Sequence, residues 1–288
     1  MIRFSVTLIF LLLLLSVAAS SQIVKGDKGY DDYINDYPFL EDRHKLYTYE
    51  TEFVIPDGYR IKTDNLSSYQ KWISRLPLWR KGIPVSALGK GIFIKVGEFS
   101  RRVQLPWRTA HFIDYLIPVQ LAAEYLRLNR NIHKLELMPR QGESLTYMKW
   151  LKNVVVKDRL GNLAYVPSKK REDTEIEFNK FIDIVAFNMN YQALAENCDT
   201  LEEKEVSPGD IWITRDEKGR QGKVYVILNV LENNEGDKLY AVGTGCPEAC
   251  DFYIPLFNGD EDNPWITLEE IKGLGTEYPL KGFYRLKM

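Results

Sequence analysis

Histidine and cysteine are both scarce, three of each in 288 residues. Three thiols cannot build a disulfide framework, nor a zinc site of four thiolates. The histidines (His44, His111 and His133) lie far apart, and no His-Glu-x-x-His pair occurs, so a metal centre is not expected. The chain has no Gly-x-Ser-x-Gly elbow, no Gly-rich phosphate loop and no dinucleotide fingerprint. No cofactor is expected. Excess charge is missing too: 38 basic residues face 40 acidic ones, a net charge of −2. Nucleic acid is therefore not an expected partner, because phosphate neutralisation needs a basic surface.

Every histidine precedes every cysteine (Cys198, Cys246 and Cys250). A thiolate–imidazole enzyme needs both groups within hydrogen-bond reach. The papain order, with an early Cys and a later His, cannot be met here. Forty acidic residues offer carboxylate pairs for glycosidase chemistry without singling one out. Glu124 near Arg127 reads as a structural ion pair. The acidic run Gly259–Asn263 reads as a solvated turn, without the spacing of a calcium loop. Six tryptophans, Trp107 and Trp212 among them, read mostly as core.

Residues 1–20 carry one charge, Arg3, then an apolar run to Leu15, then small residues. That is the layout of a secretory signal peptide, cleaved after Ala18 or Ser20. No second long apolar run follows, so no membrane span is expected in the mature chain. The expected location is periplasmic or extracellular. Export permits disulfides. Three arrangements stay open: a bridge from Cys198 to Cys246 or Cys250, a bridge between those two, or free thiols; metal binding is the weaker reading.

Residues 21–50 are polar, charged and Tyr-rich, and read as an extended arm on a single α+β domain, 51–288. Glu52–Ile55 predicts a strand stopped by Pro56-Asp57-Gly58. Asn65–Leu76 has helical spacing, with Asp64 or Asn65 as cap, and Gly91–Val96 reads as a strand. The longest apolar-periodic stretch is Ala110–Leu128, in which Pro118 forces a kink or a fresh start. Leu135–Met138 predicts a strand, 157–173 a loop or hairpin, and Glu175–Glu196 a second helix. Beyond it, short β-rich runs separated by Gly, Pro, Asn and Asp predict an antiparallel sheet.

Two segments carry a resemblance. Pro208-Gly209-Asp210-Ile211-Trp212-Ile213, a turn, then Gly222-Lys223 and a strand to Asn229 is similar to the Gly-Asp-strand-loop-Gly-His-strand hairpin of NlpC-type cell-wall peptidases. Ile117–Leu126, with Leu76-Pro77-Leu78 and Pro84-Val85 upstream, resembles the domain of unknown function 4846 family of bacterial envelope proteins. The likeness runs from about Val54 to Leu286, and implies a papain-like arrangement of helices followed by a sheet. Carried over, the family's Cys falls on Asp114, its His on Lys223 and its strand-ending Asp on Asn229. Asp is no thiolate, and Lys is a poor base unless its pKa is strongly lowered.

Asp114 and Lys223 would then meet as a charge-compensated pair in a degenerate site, or stand apart as surface charges. Trp107, Trp212 and Tyr225 are candidate cleft-lining residues. The resemblance implies a pseudoenzyme that binds a peptidoglycan fragment or an envelope protein. An active cell-wall hydrolase using other residues of the same cleft is the alternative.

Overall fold

The computed structural model describes residues 23–25, 27, 29–40, 44–87, 99–107, 113–257 and 259–288. The expected signal peptide, the Gly91–Val96 strand and His111 lie outside them.

In chain order the elements begin with β1 (Ile23–Val24), α1 (Tyr30–Asp36), β2 (Lys45–Leu46), α2 (Tyr49–Glu52), β3 (Tyr59–Ile61) and α3 (Ser68–Ser74). Then come β4 (Phe99–Arg102), α4 (Ile117–Leu128), β5 (Glu136–Leu137), β6 (Leu145–Thr146), α5 (Tyr147–Trp150), β7 (Asn153–Lys157) and β8 (Leu163–Pro167). After α6 (Glu175–Asn188) and α7 (Tyr191–Glu196) follow β9 (Cys198–Thr200), β10 (Ile211–Arg215), β11 (Gly222–Asn233), β12 (Lys238–Thr244) and β13 (Tyr253–Pro255). The last are α8 (Leu268–Lys272) and β14 (Leu280–Leu286). Helices and an antiparallel sheet make this an α+β fold. No helix among the described residues is long and apolar enough to cross a membrane.

The main sheet runs β4-β13-β12-β11-β10-β14-β9, with β3 pairing the far end of β11. All its pairings are antiparallel. β11 is its spine. Val224, Val226 and Leu228 face the large helical core, while Ile227 and Val230 face a smaller one with Trp212, Phe283 and Ile271. Strict alternation would put Leu228 and Val230 on one face. The register shift between Ile227 and Asn229 resolves this, as one extra residue on β11 resets the alternation.

The N-terminal segment is not an extended arm. Tyr30–Asp36 is helical, and Tyr30, Tyr33, Tyr37 and Leu40 are buried in the main core. The Tyr37 hydroxyl donates to the Trp72 carbonyl at 2.5 Å, and the Trp72 indole donates to the Asp36 carbonyl at 3.0 Å. Burying large apolar side chains is worth about 1.5–3 kcal/mol each, enough to fold the segment onto α3. Polar composition hid this, because the tyrosines supply the apolar surface.

Local chemistry moved other boundaries. The predicted Glu52–Ile55 strand begins inside the short helix α2 and joins no sheet among the described residues; the strand lies at Tyr59–Ile61. α3 is capped by Ser67, not by Asp64 or Asn65. Ser67 and Gln70 exchange side-chain and backbone bonds of 3.2 and 2.8 Å, a reciprocal capping box. Pro118 starts α4 afresh in its first turn, where no intrahelical donor is lost. The expected helix Glu175–Glu196 is two helices. Met189 is extended, and Asn190 caps α7 by accepting from the Ala193 amide at 2.8 Å.

Candidate functional site

Asp114 lies in the turn ahead of α4 and is 1% exposed. Its amide donates to the Cys246 carbonyl at 3.3 Å, beside a parallel bridge between Ile113 and Cys246. That contact seats the turn where β12 has left β11. The Asp114 carboxylate accepts from its neighbour's amide, Tyr115, at 2.7 Å. It accepts from the Tyr191 hydroxyl at 2.9 and 3.1 Å. Burial pushes the Asp114 carboxyl up to about 6, against these donors and the charge of Lys223. The Tyr191 phenol is pushed up in turn, by burial first and then by Asp114.

Gly222 explains how Tyr191 gets there. A Cβ on Gly222 would lie 2.8 Å from the Tyr191 ring and 2.3 Å from the Thr214 carbonyl. Only a residue without a side chain lets the ring lie over the start of β11.

Lys223 is half-buried on β11, opposite Thr214. Its charge lowers the pKa of Asp114, yet the two form no direct ion pair; Tyr191 is the side chain that touches the carboxylate. Asn229 is a separate station. Six residues along β11 places it about 20 Å from Lys223. There its amide donates to the Ser74 carbonyl at 2.8 Å, and its carbonyl accepts from the Val230 amide at 2.8 Å.

The three aromatics do not line one cleft. Trp212 is buried in the smaller core, its ring 4.6 Å from Phe283 and its indole donating to the Leu274 carbonyl. Tyr225 is half-buried against the same core, and burial pushes its phenol up to about 12. Trp107 hydrogen-bonds Glu124 on α4; burial raises the Glu124 carboxyl, opposed first by Arg127.

The thiols are settled by geometry. Cys246 and Cys250 form a disulfide. Cys198 is free and buried, donates to the Leu194 carbonyl at 3.1 Å, and is pushed up to about 12 by burial. Among the described residues no group of three or more His, Cys, Asp or Glu is placed to hold a metal. Asp262, in the acidic turn, is instead bound by Arg101 at 2.8 Å and Lys81 at 3.0 Å. The Arg101 hydrogen bond leads in holding its carboxyl below the usual range.

Two features went unseen in the sequence. Asp210 opens β10 buried, and Arg285 grips both its oxygens at 2.7 Å. A cavity of about 540 Å³ lies among β1, α1–α3, β3 and the β11 bulge, with Asn229 in its wall. Residues from six separate segments build it, so no local motif could announce it.

Over residues 49–282 the chain matches the family model described as Domain of unknown function (4846). No curated protein and no solved structure matches the chain. The family match spans most of the chain, and the protein belongs to the Domain of unknown function (4846) family.

Proposed function

We propose that this chain is an exported cell-envelope protein that binds an envelope ligand, a peptidoglycan fragment or a partner protein, through a catalytically silent papain-like domain. The observation that carries the reading is the state of Asp114. By the resemblance it takes the place of the peptidase pattern's nucleophile, and it lies just ahead of α4. Yet it is 1% exposed and its carboxylate is occupied by Tyr191 and Tyr115. A nucleophile or base must reach its substrate; this carboxylate joins the turn ahead of α4 to the start of α7. Lys223, standing for the base, carries a charge that acts on Asp114 from a distance.

One observation favours the second reading, an active hydrolase. A carboxyl raised to about 6 is in the range of a general acid. The deciding experiment is mass spectrometry of peptidoglycan fragments after incubation with the purified mature protein. An Asp114→Ala, Lys223→Ala double variant, checked for folding by circular dichroism, runs beside it. A silent domain leaves the fragments unchanged. New fragments from the wild type that the variant does not produce would establish the hydrolase.

A further inference from the structure

We propose that the cavity of about 540 Å³ beside the β11 bulge binds a short zwitterionic peptide by its two free ends, carboxylate at Lys71 and ammonium at Glu50. The inference rests on the binding reading above and gives it a place and a chemical class. The volume falls within the range of small-molecule sites, about 300–1,000 Å³. It is too small for a folded partner.

Charge selects the ligand. Glu50 on α2 and Lys71 on α3 both line the cavity and are exposed, and they form no ion pair with each other or elsewhere among the described residues. A site for a simple anion would present cations alone; this one presents one free charge of each sign. Arg75, a second cation in the wall, is already committed. It pairs with Asp36 at 2.9 Å and lies over the Tyr33 ring at 5.0 Å. It stiffens the wall rather than neutralising Glu50.

The inner wall points the same way. Tyr49 lies in that wall, and its Oη is buried with no hydrogen-bond partner among the described residues. Buried side-chain polar atoms are nearly always paired in native proteins. The Tyr49 hydroxyl, shut off from the cavity as it stands, gains a partner when a bound peptide draws it in. Ile61 and Leu66 add an apolar wall for a small side chain.

Isothermal titration calorimetry with the mature protein tests this, using alanyl-alanine, its C-terminal amide and its N-acetyl form. The uncapped dipeptide binds, and each cap weakens binding by about fivefold or more. Lys71→Met removes the difference between acid and amide, and Glu50→Gln removes that between free and acetylated amine. Both side chains are exposed, so neither change threatens the fold. No binding of the uncapped dipeptide, or equal binding of all three forms, overturns the proposal. Retention of the same preparation on insoluble peptidoglycan is read in parallel. Retention without dipeptide binding sinks the cavity assignment alone, whereas new soluble fragments sink the silent-domain reading.

Discussion

Tyr191 donates a single hydroxyl to both carboxylate oxygens of Asp114, at 2.9 and 3.1 Å, across 77 residues of sequence. The bond ties the first residue of α7 to the turn that launches α4, over the start of β11. It occupies both oxygens of the carboxylate.

Tyr191→Phe keeps the ring and removes that donor. The remaining carboxylate is buried with one partner fewer, a loss of about 1–3 kcal/mol. The loss should be larger at pH 7 than at pH 4, because a charged acceptor makes the stronger bond. Urea unfolding at the two pH values measures it.

The pH dependence of Asp114 itself has a definite sign. Its folded pKa, about 6, is raised from 3.8. Below both values the carboxyl is neutral in either state and its stabilising contribution is fully present. As pH rises through about 6, the folded state must bury a charge that the unfolded chain hydrates. The stability of the wild type relative to Asp114→Asn should therefore fall by up to about 3 kcal/mol from about pH 3.5 to 7.5. A difference that stays flat across that window would contradict the buried-carboxyl account.

Arg285 grips the buried Asp210 through two bonds of 2.7 Å and also donates to the Glu205 carbonyl. Arg285→Ala leaves a buried carboxylate without its counter-charge and should cost about 2 kcal/mol. Arg285→Lys should restore only part of that, because an ammonium lacks the planar fork. Thermal unfolding of the two variants orders them.

The bridge between Cys246 and Cys250 closes a loop of only a few residues, so loop-closure entropy gives it no more than about 2 kcal/mol. Its local effect should be clearer, since the Cys246 carbonyl receives the Asp114 amide. In Cys250→Ser, hydrogen exchange at the Asp114 amide should quicken while exchange along β10 stays unchanged. Iodoacetamide added in denaturant without reductant should label Cys198 alone.

The parts of the fold legible in sequence were those with local causes. Pro118 marks the start of α4, and the Gly-Asp and Gly-Lys strand starts mark the β10–β11 hairpin. Motif order singles out Asp114 and Lys223; the charge of Lys223 lowers the pKa of Asp114, and the two form no direct ion pair. Tyr191 was invisible because its partner is 77 residues away and its own sequence reads as helix interior. Tyr33 and Tyr37 sit in a segment of polar composition, yet their rings fill the core while their hydroxyls donate to the Arg75 and Trp72 carbonyls. Trp212 and Tyr225, opposite each other on β10 and β11, read as cleft-lining in sequence, because alternation tells which residues share a face of a strand, not what covers it.

Co-sedimentation with purified peptidoglycan sacculi tests the silent-domain reading most directly, with suspension turbidity followed in the same tube. The expected result is protein in the pellet at constant turbidity. A falling turbidity that Asp114→Asn abolishes would contradict it and make Asp114 a catalytic residue.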